Sequence, residues 1–341
     1  TMTIEDNNGV ITSGATTNDS DITLKFTTNE TTNFGESDIT PTNCTLSEFT
    51  TNGNVHTVKV TPSGTPTNAP VTCTVEIPIG AFQDDPATNS NSVAYSFVWI
   101  CDKVRPEITT VDDAGTGTTY HKEGDVIDIK VTFDDTVIVT GTPKITLNNG
   151  GEATYNSGSD STVLTFRYTV GASDSEDKTG LNYTNSESLS LNSGTIKDSL
   201  GNDAIISLPT KTTSGLVVDR TIIIDNTHPV PSTQTRVGTN VSGTYYVKSG
   251  ETPSYVFQSD SAGSIVRIND ASGVMADLSS AVGYSISANE SYTVNLYKNN
   301  AEDTLDDGVH NSIQIVVNDL AGNETTLDVD DFTVDKTAPT V

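Results

Sequence analysis

Apolar residues in this chain recur at every second position, run after run. In 126–133, Ile127, Ile129, Val131 and Phe133 share one face, and in 163–170 Leu164, Phe166, Tyr168 and Val170 do the same. In 312–317, Ile313, Ile315 and Val317 repeat the pattern. Strict alternation over such lengths builds strands with one buried and one wet face. Clusters of Gly, Asn, Asp, Ser and Pro separate the runs, as turns require. No amphipathic helical stretch of useful length occurs. The expectation is an all-β chain of antiparallel sheets. Composition alone points toward disorder, with 33% hydrophobic residues and a formal net charge of −28. The period-two order of the apolar residues decides for a fold.

The charge excludes nucleic acid as a partner, because phosphates need basic patches. No apolar run approaches the roughly 20 residues of a membrane span. The opening TMTIEDNNGV has neither a basic nor an apolar leader segment, so it reads as processed or cut from a longer protein.

Three segments share one ending: an apolar strand, then Asp, three residues, then Pro. They are FVWICDKVRP (97–106), TIIIDNTHP (221–229) and FTVDKTAP (332–339). Asp102 and Asp225 are 123 residues apart, and Asp225 and Asp335 are 110 apart. Both intervals suit one immunoglobulin-sized sandwich. Trp99 and Cys101, Ile222 and Ile224, and Phe332 and Val334 take the inward places before each Asp. Proline four residues on stops the ladder. Upstream of two joints lies Asp198-Ser-Leu-Gly-Asn202 or Asp319-Leu-Ala-Gly-Asn323. The first repeat has only a degenerate version, AFQDDPATN (81–89), with Asp84 in the matching place. GTTYHKEGD (117–125) and GTYYVKSGE (243–251) open the later repeats. The expected domains are 1–104, 105–228 and 229–341, three tandem Ig-like β-sandwiches in an extended array. The closing TAPTV would start a fourth.

These joints and Asp-x-x-Gly-Asn loops resemble the bacterial Ig-like and cadherin-like repeats of large surface adhesins, biofilm-associated and calcium-dependent ones among them. VTFDDTVIVTGTPKITLNNGGEATY (131–155), LNSGTIKDSLGNDA (191–204) and DGVHNSIQIVVNDLAGN (307–323) carry the likeness, with SGATTNDSDITLKF (13–26) and IPIGAFQD (77–84) in the first repeat. The resemblance implies an extracellular, cell-surface location and calcium at the joints. Calcium takes six to eight oxygen ligands, and carboxylates, carbonyls and amides here supply that chemistry. The loop is expected at the same pole as the linker that leaves its own domain. The first joint would then use Asp84 and Asp102, with Asp112 or Asp113. The second would use Asp198, Asn202 and Asp225, and a third Asp319, Asn323 and Asp335. The bland reading is that these acids are turn residues. Lys103 and Arg105 could also supply the counter-charge at Asp102. No EF-hand loop occurs.

Cys44, Cys73 and Cys101 all fall in the first repeat. One disulfide, Cys44 with Cys73, would close a loop of about thirty residues and contribute about 3–4 kcal/mol. The alternative is three buried thiols. The histidines, His56, His121, His228 and His310, are scattered. No Gly-x-Ser-x-Gly elbow, phosphate-cradling loop or zinc pattern occurs, so the chain reads as a non-enzyme. Asn-x-Ser/Thr triplets at Asn18, Asn29, Asn43, Asn182, Asn240, Asn289 and Asn323 are as many as this composition gives by chance.

Two functions remain. One is a structural stalk or fibre segment of a surface adhesin, stiffened by calcium, with neighbouring repeats as its partners. The other is a self-assembling filament subunit, or a module binding a sugar or protein through YSFVWI (95–100) or GTYYVKSG (243–250).

Overall fold

The computed structural model describes all residues except 1, 7–8, 114, 211–215, 217–219, 238, 243, 250, 252–253, 271–272, 278–284, 296–306, 312, 330 and 341. Strands carry the described residues, with one 3-10 turn at Glu36–Asp38. The fold is all-β, a tandem of Ig-like sandwiches. No described helix is long and apolar enough to cross a membrane.

Three separate hydrophobic cores hold the chain. The first gathers residues between 22 and 101, around Trp99, Phe97, Leu24 and Val58. The second lies between 111 and 224, around Ile129, Phe166, Tyr168 and Ile222. The third lies between 247 and 334, around Phe257, Ile315, Val317 and Phe332. The alternating residues named above are all buried. Ile223 and Val316 are buried on the opposite faces too, so those strands are covered on both sides.

In the first sandwich, Met2–Asp6, Ile22–Thr27, Val55–Pro62 and Cys44–Asn52 run side by side in one sheet, with Gly9–Val10 at its edge. The second sheet orders Ala15–Thr17, Tyr95–Cys101, Val71–Ile77 and Thr40–Thr42. The second sandwich is built on the 15-residue strand Val126–Thr140. Its first half pairs Ser161–Thr169, a bulge follows Thr132, and its second half pairs Thr195–Lys197. The third is built on Gly263–Asp270 and Ile313–Asp319 in one sheet, with Ser254–Ser259 central to another.

The expectation of purely antiparallel sheets is corrected in each sandwich. The last strand pairs in parallel with an opening strand: Tyr95–Cys101 with Ala15–Thr17, Arg220–Ile224 with Gly117–His121, and Phe332–Asp335 with Thr244–Lys248. The entering chain first joins one sheet and then crosses to the other. After that crossing it runs in the same direction as the strand that leaves. Each linker Asp therefore stands beside an opening segment of its own sandwich, at the exit pole.

Candidate functional site at the joints between sandwiches

Each linker begins with the same local turn. Asp102 Oδ1 accepts the Val104 N–H at 3.0 Å, Asp225 Oδ1 that of Thr227 at 3.1 Å, and Asp335 Oδ1 that of Thr337 at 3.1 Å. An Asp carboxylate bonding the backbone two residues on is the local preference of this side chain, and it bends the chain where the strand stops. The proline four residues after each Asp differs between linkers. Pro106 and Pro229 are buried, and Pro339 is exposed.

The Asp-x-x-Gly-Asn loops share a second geometry. Asp198 Oδ1 accepts the Asn202 N–H and its Oδ2 accepts Asn202 Nδ2–H, both at 2.8 Å. Asp319 and Asn323 repeat this pair at 2.9 Å each. Gly201 and Gly322 take the left-handed backbone, φ 93° and 84°, that closes so short a loop. The carboxylate thereby fixes the rotamer of the Asn amide, whose second hydrogen points out of the loop. From Asn202 that hydrogen goes to Asp102 O at 3.2 Å. From Asn323 it goes to Asp225 O at 2.8 Å and Thr227 O at 3.3 Å.

These bonds correct the expected grouping of Asp198 and Asn202 with Asp225, and of Asp319 and Asn323 with Asp335. Each loop meets the linker that enters its sandwich, not the one that leaves. The loop sits at the opposite pole from its own last strand, so the site is shifted by one joint. Further bonds close the same joints. Arg105 donates to Asp203 O at 2.6 Å and Ala204 O at 3.2 Å, and Ile205 N–H donates to Pro106 O at 2.8 Å. At the second joint Lys122 Nζ donates to Gly322 O at 2.5 Å, and His228 Nδ1 meets Glu324 O at 2.6 Å. Lys103 reaches Ser20 Oγ at 2.7 Å. Thus Arg105 and Lys122 serve the joints by donating to carbonyls.

Asp84 also moves. It does not join Asp102 but lies at the other pole of the first sandwich, in that sandwich's own version of the loop. Asp84 Oδ1 accepts the Asn89 N–H at 2.6 Å and Oδ2 accepts Asn89 Nδ2–H at 2.9 Å. One residue has been inserted, so Asn89 is five positions on instead of four. Thr88, φ 66°, stands in the left-handed place that Gly201 and Gly322 occupy elsewhere. The residues flanking the pair bridge alike: Gln83 with Ser90, Lys197 with Asp203, and Asn318 with Glu324. Asn89 was not legible as the partner because no Gly-Asn stands in register. Asp112 lies along Ile108–Asp112, opposite Lys130, away from the linker. The neighbouring Asp113 pairs with Arg220 at 2.5 Å.

The fit of calcium can be judged from this donor set. The carboxylates of Asp198 and Asp319 are spent on their own loops, and Lys122 brings a cation to the second joint. Among the described residues no three acidic, imidazole or thiol side chains gather as a metal site. Two buried side-chain oxygens of the described residues are left over, Asp19 Oδ2 near the first joint and Asn226 Oδ1 in the second linker. Asp19 Oδ2 is buried without a partner, on a residue whose carbonyl accepts from Cys101 Sγ at 3.1 Å, next to Asp102.

The cysteines are free and buried, which corrects the disulfide between Cys44 and Cys73. They are neighbours nonetheless, and their thiols hydrogen-bond each other. That bond, with burial, pushes the Cys73 thiol well above its ordinary value, while the bond and two carbonyls bring Cys44 down. Burial raises Cys101. His56 lies in the first core between Phe34 and Phe49, and burial pulls its imidazole below the ordinary value. His310 stacks on Phe332. Of the aromatics considered for binding, Tyr246 is 39% exposed and Tyr95 38%. Tyr95 borders a cavity of about 380 Å³ beside Asp84 and Asn89.

No family model matches the sequence, and no curated protein matches it. Among solved structures the chain is similar to an I-band fragment of titin, at 12% identity over 95% of this chain and 94% of that one, with a TM-score of 0.31. It is also similar to the complex of Dpr2 Ig1-Ig2 with DIP-Theta Ig1-Ig3, at 12% identity, 95% and 96% coverage and a TM-score of 0.26. Domains 4–9 of the surface layer protein SbsC match 98% of this chain over 42% of theirs, at 11% identity and a TM-score of 0.19.

Proposed function

We propose that the chain is a load-bearing stalk segment of an extracellular surface protein, in which tandem sandwiches are held in fixed orientation by their linkers. The observation that carries this reading is the repeated bond from a carboxylate-fixed Asn to the carbonyl of the incoming linker Asp, at both internal joints. A flexible tether needs no such bond, and two sandwiches that share only a fold would not share this one. The extracellular location rests on the resemblance to adhesin repeats. The net charge of −28 keeps neighbouring stalks apart.

Small-angle scattering tests the reading. The wild-type chain is expected to scatter as one rigid particle. Arg105→Ala and Asn202→Ala are expected to give a flexible profile with each sandwich still folded by circular dichroism. Arg105 is exposed, so its truncation touches the joint and not a core. A wild-type profile of independently tumbling sandwiches overturns the proposal.

A second reading, in which a divalent cation completes the first joint, is favoured by the unpartnered Asp19 Oδ2. It requires the wild-type profile to loosen when a chelator replaces millimolar calcium, and Asp19→Asn to abolish that response. Superimposable profiles leave the hydrogen bonds alone in charge of the joint.

A further inference from the structure

Parallel pairing of the last strand with an opening strand has a mechanical consequence in each sandwich. A pull along the chain draws the opening strand back by its N-terminal end and the last strand forward by its C-terminal end. The two strands run the same way, so the pull slides one along the other. It then loads their cross-strand bonds together instead of one after another.

The three strand pairs are not equal. The first sandwich has three register pairs there, from Ala15 with Trp99 to Thr17 with Cys101. Its side-chain ties are neutral: Trp99 Nε1–H donates to Thr17 Oγ1 at 3.1 Å, and Val98 N–H to Ser13 Oγ at 3.0 Å. The third has four, from Tyr245 with Phe332 to Lys248 with Asp335. The second has five, from Gly117 with Arg220 to His121 with Ile224. It alone, among the described residues, adds an ion pair across the strands. Arg220 Nη1 pairs with Asp113 Oδ2 at 2.5 Å, with only 16% and 6% of the two side chains exposed. Arg220 Nε and Nη2 donate to Thr119 Oγ1 at 3.2 and 2.9 Å. The other Asp113 oxygen accepts the Gly115 N–H at 3.3 Å. The guanidinium lies so close to Gly115 that a Cβ there would stand 1.6 Å from Nη1.

The tie also sits where the load arrives. Asp113 directly follows Ile108–Asp112, the entering strand, which pairs with Val126–Thr140 in the other sheet. Once that strand slips, the pull reaches Asp113, which Arg220 holds at the first rung of the parallel pair. Breaking a buried ion pair strands a charge without its partner, which costs far more than losing a neutral hydrogen bond.

We propose that the Asp113–Arg220–Thr119 tie is a mechanical lock that makes the second sandwich the last of the three to yield when the chain is pulled by its ends. This rests on the stalk reading for the direction of the load, but fixed orientation of the sandwiches does not require it.

The test is force spectroscopy of single full-length chains held at both ends. Three unfolding events are expected. Gly115→Ala touches neither partner, but its Cβ displaces the guanidinium. It is expected to lower the highest event, leave the other two in place, and speed that one event at constant force at least about tenfold. A second variant separates force from resting stability. Asp113→Leu with Arg220→Met replaces the pair by apolar side chains, an exchange close to neutral for stability. It is expected to keep the wild-type melting and still lose the high-force event. A highest event unmoved by Gly115→Ala, or one that the double variant retains in full, overturns the proposal. A rigid scattering profile with no such force response sinks the lock and leaves the stalk reading standing. Independently tumbling sandwiches with the force response intact do the reverse.

Discussion

Asn202 and Asn323 show how one side chain turns a loop into a joint. Alone, a long polar residue on a loop samples many rotamers. Here a carboxylate four residues back accepts both the backbone and the side-chain N–H, so one amide hydrogen is aimed before any linker arrives. The same scale sets two further outcomes. His56 is buried against Phe34 and Phe49, and its imidazole resists protonation because burial disfavours the charged ring. The unfolded chain binds that proton more readily, with a value near 6.5. Stability of the first sandwich is therefore fully present above about pH 6.5 and declines as pH falls toward the depressed folded value. Nuclear magnetic resonance titration should place His56 below the ordinary imidazole range, and His56→Phe should flatten the stability profile of this sandwich between pH 7 and pH 5. An ordinary or raised value would contradict the burial argument. The cysteines give the other outcome. A thiol reagent should label none of Cys44, Cys73 and Cys101 in the native chain and all of them after denaturation without reductant. A single reactive thiol after denaturation would mean that Cys44 and Cys73 had been joined.

At the level of elements, the loop's backbone requires one left-handed residue just before the Asn. Gly fills it at 201 and 322, and Thr88 fills it in the first sandwich. A β-branched residue there costs about 1–2 kcal/mol. Thr88→Gly is expected to stabilise the first sandwich by about 1 kcal/mol, and Gly201→Ala to destabilise the second by a similar amount, both read from denaturant midpoints. No change in either would mean that the loops relax to another turn. This element also shows what could and could not be read beforehand. Strand faces were legible because alternation has a fixed period: Ile127 to Phe133 and Leu164 to Val170 lie where their parity puts them. Linker Asp residues were legible because proline and a repeated spacing marked them. Which pole a loop occupies is a property of topology, and no local pattern in 198–202 carries it. The joint partners were therefore assigned one joint too late. Asn89 escaped because an insertion moved it by one residue, and the parallel strand pairs escaped because a crossing between sheets leaves no periodic trace.

For the whole molecule, the balance between cores and joints decides how the chain unfolds. Each core is closed within its own sandwich. Between sandwiches the bonds among the described residues are few: Asn202, Arg105 and Ile205 at the first joint, and Asn323, Lys122 and His228 at the second. A net intramolecular hydrogen bond contributes about 1 kcal/mol, so a joint holds a few kcal/mol against roughly 5–15 for a folded domain. Such a joint fixes orientation without merging the cores into one cooperative unit. Calorimetry should accordingly show more than one transition, with a calorimetric enthalpy above the van't Hoff value. Arg105→Ala should draw the first and second transitions further apart by removing part of their coupling. A single transition unaffected by Arg105→Ala would mean that the sandwiches share energy by a route other than these bonds.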